Sequence, residues 1–233
     1  MDLVGCSCAG FSYTDKYCEA MEEFYGWLCG NYDGKTYEYN DLQHKIANNI
    51  KSDESEIRML VPFMLKAGIL NESCVIRGGS RIRKIILAKN LITENGERFL
   101  QFLKVYNQRK ILPKEAKERV MDIFYKFGYI QFEKLYNGEE PIYKDVISFL
   151  NKFDSIDKNE FFILTTLRSQ NRMAERDNII QMYRNNQIAD INIVSCINAY
   201  QYIMKLLIAL GVVRMSGSAY KLTDMYKGDV FNV

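Results

Sequence analysis

Apolar residues recur at helical spacing through most of this chain, and the interruptions mark its turns. Tyr17, Cys18, Met21, Phe24, Tyr25 and Leu28 return every three or four positions, which predicts a helix over 13–29. Asn31-Tyr32-Asp33-Gly34 is turn chemistry, and 37–51 reads as the next helix. Between Ser52 and Leu70, the residues Ile57, Leu60, Val61, Met64 and Leu65 share one helical face. Asp53 and Glu56 have the spacing of a capping box, and Gly68 stands where a left-handed C-cap favours glycine. Pro62 falls inside this stretch, so the sequence predicts one helix kinked at the proline. The runs Cys74-Val75-Ile76 and Ile82 to Leu87 flank Arg77-Gly78-Gly79-Ser80, a hairpin signal. Leu91-Ile92-Thr93-Glu94-Asn95-Gly96 then leads into a helix through Phe99, Phe102 and Leu103, with Thr93 as its cap.

Farther on, Pro113-Lys114-Glu115 opens a helix striped by Val120, Ile123, Phe124 and Phe127, and Tyr129-Ile130-Gln131-Phe132 reads as extended. Another helix covers 143–153. The last third repeats the opening order. Helices are expected through Phe161 to Leu167, over 174–185, and from Ser195 to Leu210, ending at Gly211. Val212-Val213-Arg214 and Tyr220-Lys221-Leu222 flank the turn Met215-Ser216-Gly217-Ser218. Lys66-Ala67-Gly68-Ile69-Leu70 and Ala209-Leu210-Gly211-Val212-Val213 therefore occupy equivalent places, each followed by a hairpin and a Thr-acid turn. The pattern predicts a mainly α fold with small β-hairpin wings, arranged as tandem winged helices. The first domain spans 1–107 with an irregular N-terminal extension, a helical connector spans 108–153, and the second domain spans 154–233.

Composition changes this picture little. The 233 residues carry a net charge of +2, so the average says almost nothing about nucleic acid. The distribution says more, because Arg77, Arg81, Arg83 and Lys84 lie together with no acid between them. No apolar run approaches the roughly 20 residues of a membrane span, and the start of the chain lacks a signal peptide's basic and apolar parts. A cytoplasmic protein with no membrane partner is expected. Cys6, Cys8, Cys18 and Cys29 crowd the first thirty residues, but their spacing fits no common zinc knuckle; Cys18 and Cys29 read as buried helix thiols. His44 is the one histidine, which makes a hydrolytic zinc site or a Ser-His triad hard to build. No phosphate loop or dinucleotide fingerprint is present, and no cofactor is expected. Glu115-Ala116-Lys117 has the Glu-x-Lys end of a nuclease motif without a Pro-Asp before it, so no catalytic residue is assigned.

A winged helix docks its last helix in the major groove while the wing touches the backbone. In the first domain Ser52, Ser55 and Arg58 are the base-reading candidates, and Arg77, Arg81, Arg83 and Lys84 suit phosphates. In the second, Asn192, Asn198, Gln201 and Lys205 are the candidates, Asn and Gln being suited to adenine. The bland alternative for each is a solvated helix face. Winged helices can also hold protein partners, and the near-neutral charge keeps that reading open.

Arg58 to Gly68 carries an arginine and a proline before a Gly-apolar strand. Ile92-Thr93-Glu94-Asn95-Gly96 has the form Ile-Thr-x-x-Gly, and Pro113-Lys114, Tyr129 to Phe132, Pro141, Phe149-Leu150, Asp157 to Phe162 and Thr165 to Arg168 follow in order. In these features residues 37–228 resemble the DNA-recognition region of type IIS restriction endonucleases and their nicking relatives. The resemblance implies two winged-helix subdomains reading a short asymmetric site on double-stranded DNA. In that family a metal-dependent nuclease domain follows, whereas this sequence stops at Val233. A separate nuclease subunit is the partner so implied. A tandem winged-helix regulator of transcription or replication is the alternative, and a metal nuclease with an unrecognised site is a third.

Overall fold

The computed structural model describes residues 1–7, 13–188 and 190–227, and Glu56 by its backbone alone. These residues are mainly helical, with small β-sheets. They form two compact units, 11–135 and a second made of 1–10 with 136–233. The first strand of the chain, β1 (Asp2–Val4), belongs to the second unit. The stretch 108–153, expected as a separate connector, is shared between the two.

The first unit begins with α1 (Asp15–Cys29), whose cap Thr14 accepts a bond from the Tyr17 amide at 3.3 Å. Next come β2 (Thr36–Glu38) and α2 (Tyr39–Asn49), so the expected helix over 37–51 loses its first turn to a strand. The single kinked helix expected over 52–70 is two short ones, α3 (Glu54–Ile57) and α4 (Leu60–Lys66). The break lies at Arg58 and Met59, ahead of the proline. Pro62 occupies the first turn of α4, where backbone amides lack helical acceptors in any case. In an unbroken helix the residue at 62 would donate to the Arg58 carbonyl, and proline has no hydrogen to give. The hydroxyl of Tyr39 donates to that carbonyl instead. Asp53 caps α3 by accepting from the Ser55 amide at 2.7 Å; the Glu56 side chain, its expected capping-box partner, lies outside the described residues.

Two hairpin strands follow, β3 (Val75–Gly78) and β4 (Arg81–Ile86), and β4 lies between β2 and β3 in an antiparallel sheet. Then come α5 (Glu94–Asn107) and α6 (Lys114–Tyr136). Tyr129 to Phe132, expected as extended, is part of α6. Phe124, Gly128, Gln131, Phe132 and Leu135 are buried at helical spacing there, and that burial overrides the β preference of the local residues. The core is aromatic. Tyr13 meets Phe63, Phe99 and Phe124 edge-on at 5.4, 5.9 and 5.4 Å, and its hydroxyl donates to Oε1 of Gln131.

The second unit contains α7 (Ile142–Phe153), α8 (Lys158–Ser169), α9 (Arg176–Arg184), β5 (Asn192–Ser195), α10 (Ala199–Ala209), β6 (Val213–Ser216) and β7 (Ala219–Leu222). Asp157 and Glu160 form a complete capping box at α8. Residues 1–13, expected to be irregular, begin instead with β1, which pairs in parallel with β5. Two threonines of α8 complete its bonding: the Val4 amide donates to Thr166 Oγ1 at 2.8 Å, and Thr165 Oγ1 donates to the Val4 carbonyl at 2.6 Å. The pairing also corrects the helix expected from Ser195, because Ser195 ends a strand and α10 starts only at Ala199.

One order of elements recurs. In the first unit α1, β2, α2, α3 with α4, and the hairpin β3–β4 follow each other, with Tyr37 of β2 opposite Ile85 of β4. In the second, α7, a single bridging residue Ile156, α8, α10 and the hairpin β6–β7 do the same, with Ile156 opposite Tyr220 of β7. The helix α9 and the β1–β5 pair are additions to that order. The joints match bond for bond. Gly68 and Gly211 both take positive φ, +69° and +73°, which glycine adopts without strain. Ile69 N donates to the Met64 carbonyl, and Val212 N to that of Leu207, each at 2.8 Å. Thr93 Oγ1 donates to the Gly68 carbonyl at 2.7 Å and Thr223 Oγ1 to that of Gly211 at 2.6 Å. The Thr93 and Thr223 amides donate to Ile69 and Val212 at 3.0 Å.

Candidate nucleic-acid interface

The four cations of the first hairpin divide into two pairs. Lys84 alternates with buried Ile85 and so faces away from it, and beyond Lys84 the register slips by one residue, leaving Arg83 as the extra residue of a bulge between Lys84 and Ile82. Arg77 is opposite Ile82 in register. Arg77 and Lys84 each have a glutamate partner. Arg77 donates to Glu72 Oε1 through Nε at 3.1 Å and Nη2 at 2.8 Å, and Lys84 Nζ lies 3.0 Å from Glu38 Oε1. Arg81 and Arg83 are exposed, and neither side chain makes an ion pair or hydrogen bond among the described residues. Arg83 folds across the hairpin onto Gly78, where a Cβ would come within 2.6 Å of its Nε.

The glutamates, rather than a further cation, are what the sequence reading missed. Glu72 lies five residues before Arg77, a spacing that could have been noticed. Glu38 reaches Lys84 only because β2 pairs with β4.

The helix-side candidates of this unit fare differently. Ser55 and Arg58 are exposed and Ser52 is half-buried. They sit beside Asp53 and Glu54, and Glu54 bonds His44 Nδ1 at 2.5 Å. The Ser55 hydroxyl and then its amide hold the Asp53 carboxyl below its ordinary range, so it stays charged. A phosphate approaching α3 meets these carboxylates first. Arg58 remains available, with no ion pair among the described residues. The helix preceding Gly68 offers little more, since α4 buries Leu60, Val61, Phe63 and Met64 and exposes Lys66 alone.

The second unit reverses this arrangement. Asn198, Gln201, Tyr202 and Lys205 are all exposed, and their spacing puts them on one face of α10. The opposite face buries Ala199, Ile203, Met204, Leu206 and Leu207. Asn192 does not join them. It lies on β5, where its side chain donates to Asp2 Oδ1 at 3.4 Å. The second hairpin carries a near-neutral tip, Met215 to Ser218, with Met215 66% exposed. Of its cations, Lys221 is bound to Asp154 at 2.5 Å, leaving Arg214 exposed.

Other expectations divide similarly. Cys18 is buried, and burial pushes its thiol up to about 12. Cys29, expected to be buried, is exposed, because α1 ends there. Cys8 lies outside the described residues. Among the described residues no group of three or more His, Cys, Asp or Glu side chains could hold a metal ion, and no helix is long and apolar enough to cross a membrane. In comparisons with family models, with curated proteins and with solved structures, nothing matches the chain.

Proposed function

We propose that this chain is a sequence-specific, double-stranded DNA-binding protein built from two winged helices, similar to the recognition part of a type IIS restriction or nicking endonuclease. The observation that carries the reading is the pair Arg81 and Arg83, exposed and without acidic partners among the described residues, at the outer end of a hairpin. Unpaired guanidinium groups bind phosphate without first giving up an internal ion pair. The order helix, strand, helix, helix and hairpin in the first unit, with the early strand paired to the last, supports the same reading, and the second unit repeats that order with a single bridging residue for the strand and with α9 and β5 added. Arg81, Arg83 and Arg58 serve the first unit, and Asn198, Gln201 and Lys205 the second. No residue is assigned to bond cleavage, which a separate nuclease subunit would supply.

A second reading, a tandem winged-helix regulator working through protein contacts, draws on a different observation. Val105, Ile111 and Ile123 of the first unit are exposed, Ile111 by 83%. A palindromic site bound by a homodimer favours that reading, and a monomer on an asymmetric site favours the first.

Fluorescence anisotropy with a pool of random duplexes tests the proposal. The protein should bind, and Arg81→Glu with Arg83→Glu should weaken binding at least about 100-fold at low salt. Unchanged affinity in that double variant, or no binding by the parent protein, would refute it.

A further inference from the structure

The exposed face of α10, with two carboxamides and a single lysine, is chemically unlike the first hairpin. It adjoins a groove of about 340 Å³ whose lining includes Cys6, Ser7, Cys196, Ile197, Asn198 and Tyr202. None of the described lining residues carries a formal charge. Asn198 lines it together with Tyr202 and Ile197, the latter 60% exposed, and a second exposed carboxamide, Gln201, lies one turn on along the same helix face. A carboxamide presents a donor and an acceptor side by side. Adenine shows the complementary pair in the major groove, N7 accepting and the N6 amino group donating, while its partner thymine adds a methyl group. Guanine shows two acceptors there, which suits arginine, and none of the described lining residues is an arginine.

We propose that the exposed face of α10 reads A·T base pairs in the major groove. Asn198 and Gln201 pair with adenine edges, Ile197 and Tyr202 pack on thymine methyl groups, and Lys205, one turn past Gln201, touches the flanking phosphate. This rests on the DNA-binding reading above and divides the labour within it: the first unit supplies backbone contacts through Arg81 and Arg83, and the second supplies the base sequence.

Selection from a random duplex library, using the whole chain, tests the inference. The parent protein should enrich sites containing A·T pairs at fixed positions. Asn198→Ala with Gln201→Ala should lose that preference by roughly 10-fold or more per pair while keeping its salt dependence. Both residues are exposed, so melting curves should confirm an intact fold. Replacing the selected adenine by 7-deazaadenine, which lacks the N7 acceptor, should weaken the parent protein about 10-fold and leave the double variant unaffected. Specific binding to a G·C site, or an A·T preference that survives both substitutions, overturns the inference while leaving DNA binding standing. Absence of any duplex binding overturns the DNA-binding reading itself, and this inference with it.

Discussion

The two hairpins are joined to their helices by the same glycine, the same amide bonds and the same threonine hydroxyl, yet their surfaces have little in common. The first hairpin is cationic and follows a helix that is almost wholly buried. The second has a neutral tip and follows a helix with an open polar face. Apart from the threonine hydroxyl the joint consists of backbone bonds, and so constrains only a glycine and a threonine. Everything facing outward is free to differ. A recurring frame can therefore carry two kinds of contact, one made with charge and the other with directional hydrogen bonds.

The joints themselves differ in one respect, which substitutions can enlarge. Three residues after its threonine the first joint has Gly96, where a Cβ would lie 2.1 Å from the Ile69 carbonyl oxygen. The second has Tyr226 at that place, fully buried. Tyr226→Ala should hollow the second unit and cost about 3–5 kcal/mol in urea denaturation. Gly96→Ala should cost about 2–3 kcal/mol for the opposite reason, overpacking against backbone that cannot yield. A neutral result at either site breaks the account of that joint.

A smaller contrast separates the threonines. Thr93 donates to the Gly68 carbonyl and also accepts from the Gly96 amide at 3.0 Å, capping α5. Thr223 makes the first bond and has no capping bond at the short turn Asp224–Tyr226. Thr93→Ala should cost about 2 kcal/mol and Thr223→Ala about 1 kcal/mol, the difference being one helix cap. Equal losses would show that the cap contributes nothing.

Acid should distinguish the units least. Lys110 and then Arg109 hold the Asp15 carboxyl of the first unit below its ordinary value of 3.8, and Lys221 does the same for Asp154 of the second. A carboxyl depressed by folding adds stability in full above its unfolded value. That stability is lost as pH falls below about 3.8 toward the folded value. Urea midpoints measured from pH 6 downward should fall in that window, and Asp15→Asn should flatten the fall. An unchanged slope in that variant would remove Asp15 from the explanation.

How legible all this was in the sequence depended on range. The glycine joints, the hairpins, the Thr93 cap and the burial of Cys18 were readable because each depends on residues close in sequence. The misreadings came from long-range packing. β1 exists because β5, almost the whole chain away, completes its bonds and two α8 threonines finish them. Tyr129 to Phe132 became helix because α6 runs under an aromatic core that includes Tyr13. Pro62 was visible as a helix breaker, but not that Tyr39, a residue of another helix, bonds the Arg58 carbonyl that the proline leaves open. At the candidate site the basic cluster was legible as composition. Its division into paired and unpaired cations was half legible: Glu72 is near Arg77 in sequence, but Lys84 is paired with Glu38 on another strand.

The salt dependence of duplex affinity in two double variants tests the central claim most directly. Each phosphate neutralised steepens the plot of log affinity against log salt by about 0.9. Arg81→Ala with Arg83→Ala should make the slope shallower by about 2, whereas Arg77→Ala with Lys84→Ala, which removes cations already bound to Glu72 and Glu38, should leave it within about half a unit of the parent value. Equal changes in the two variants, or a slope near zero in the parent protein, would contradict the account.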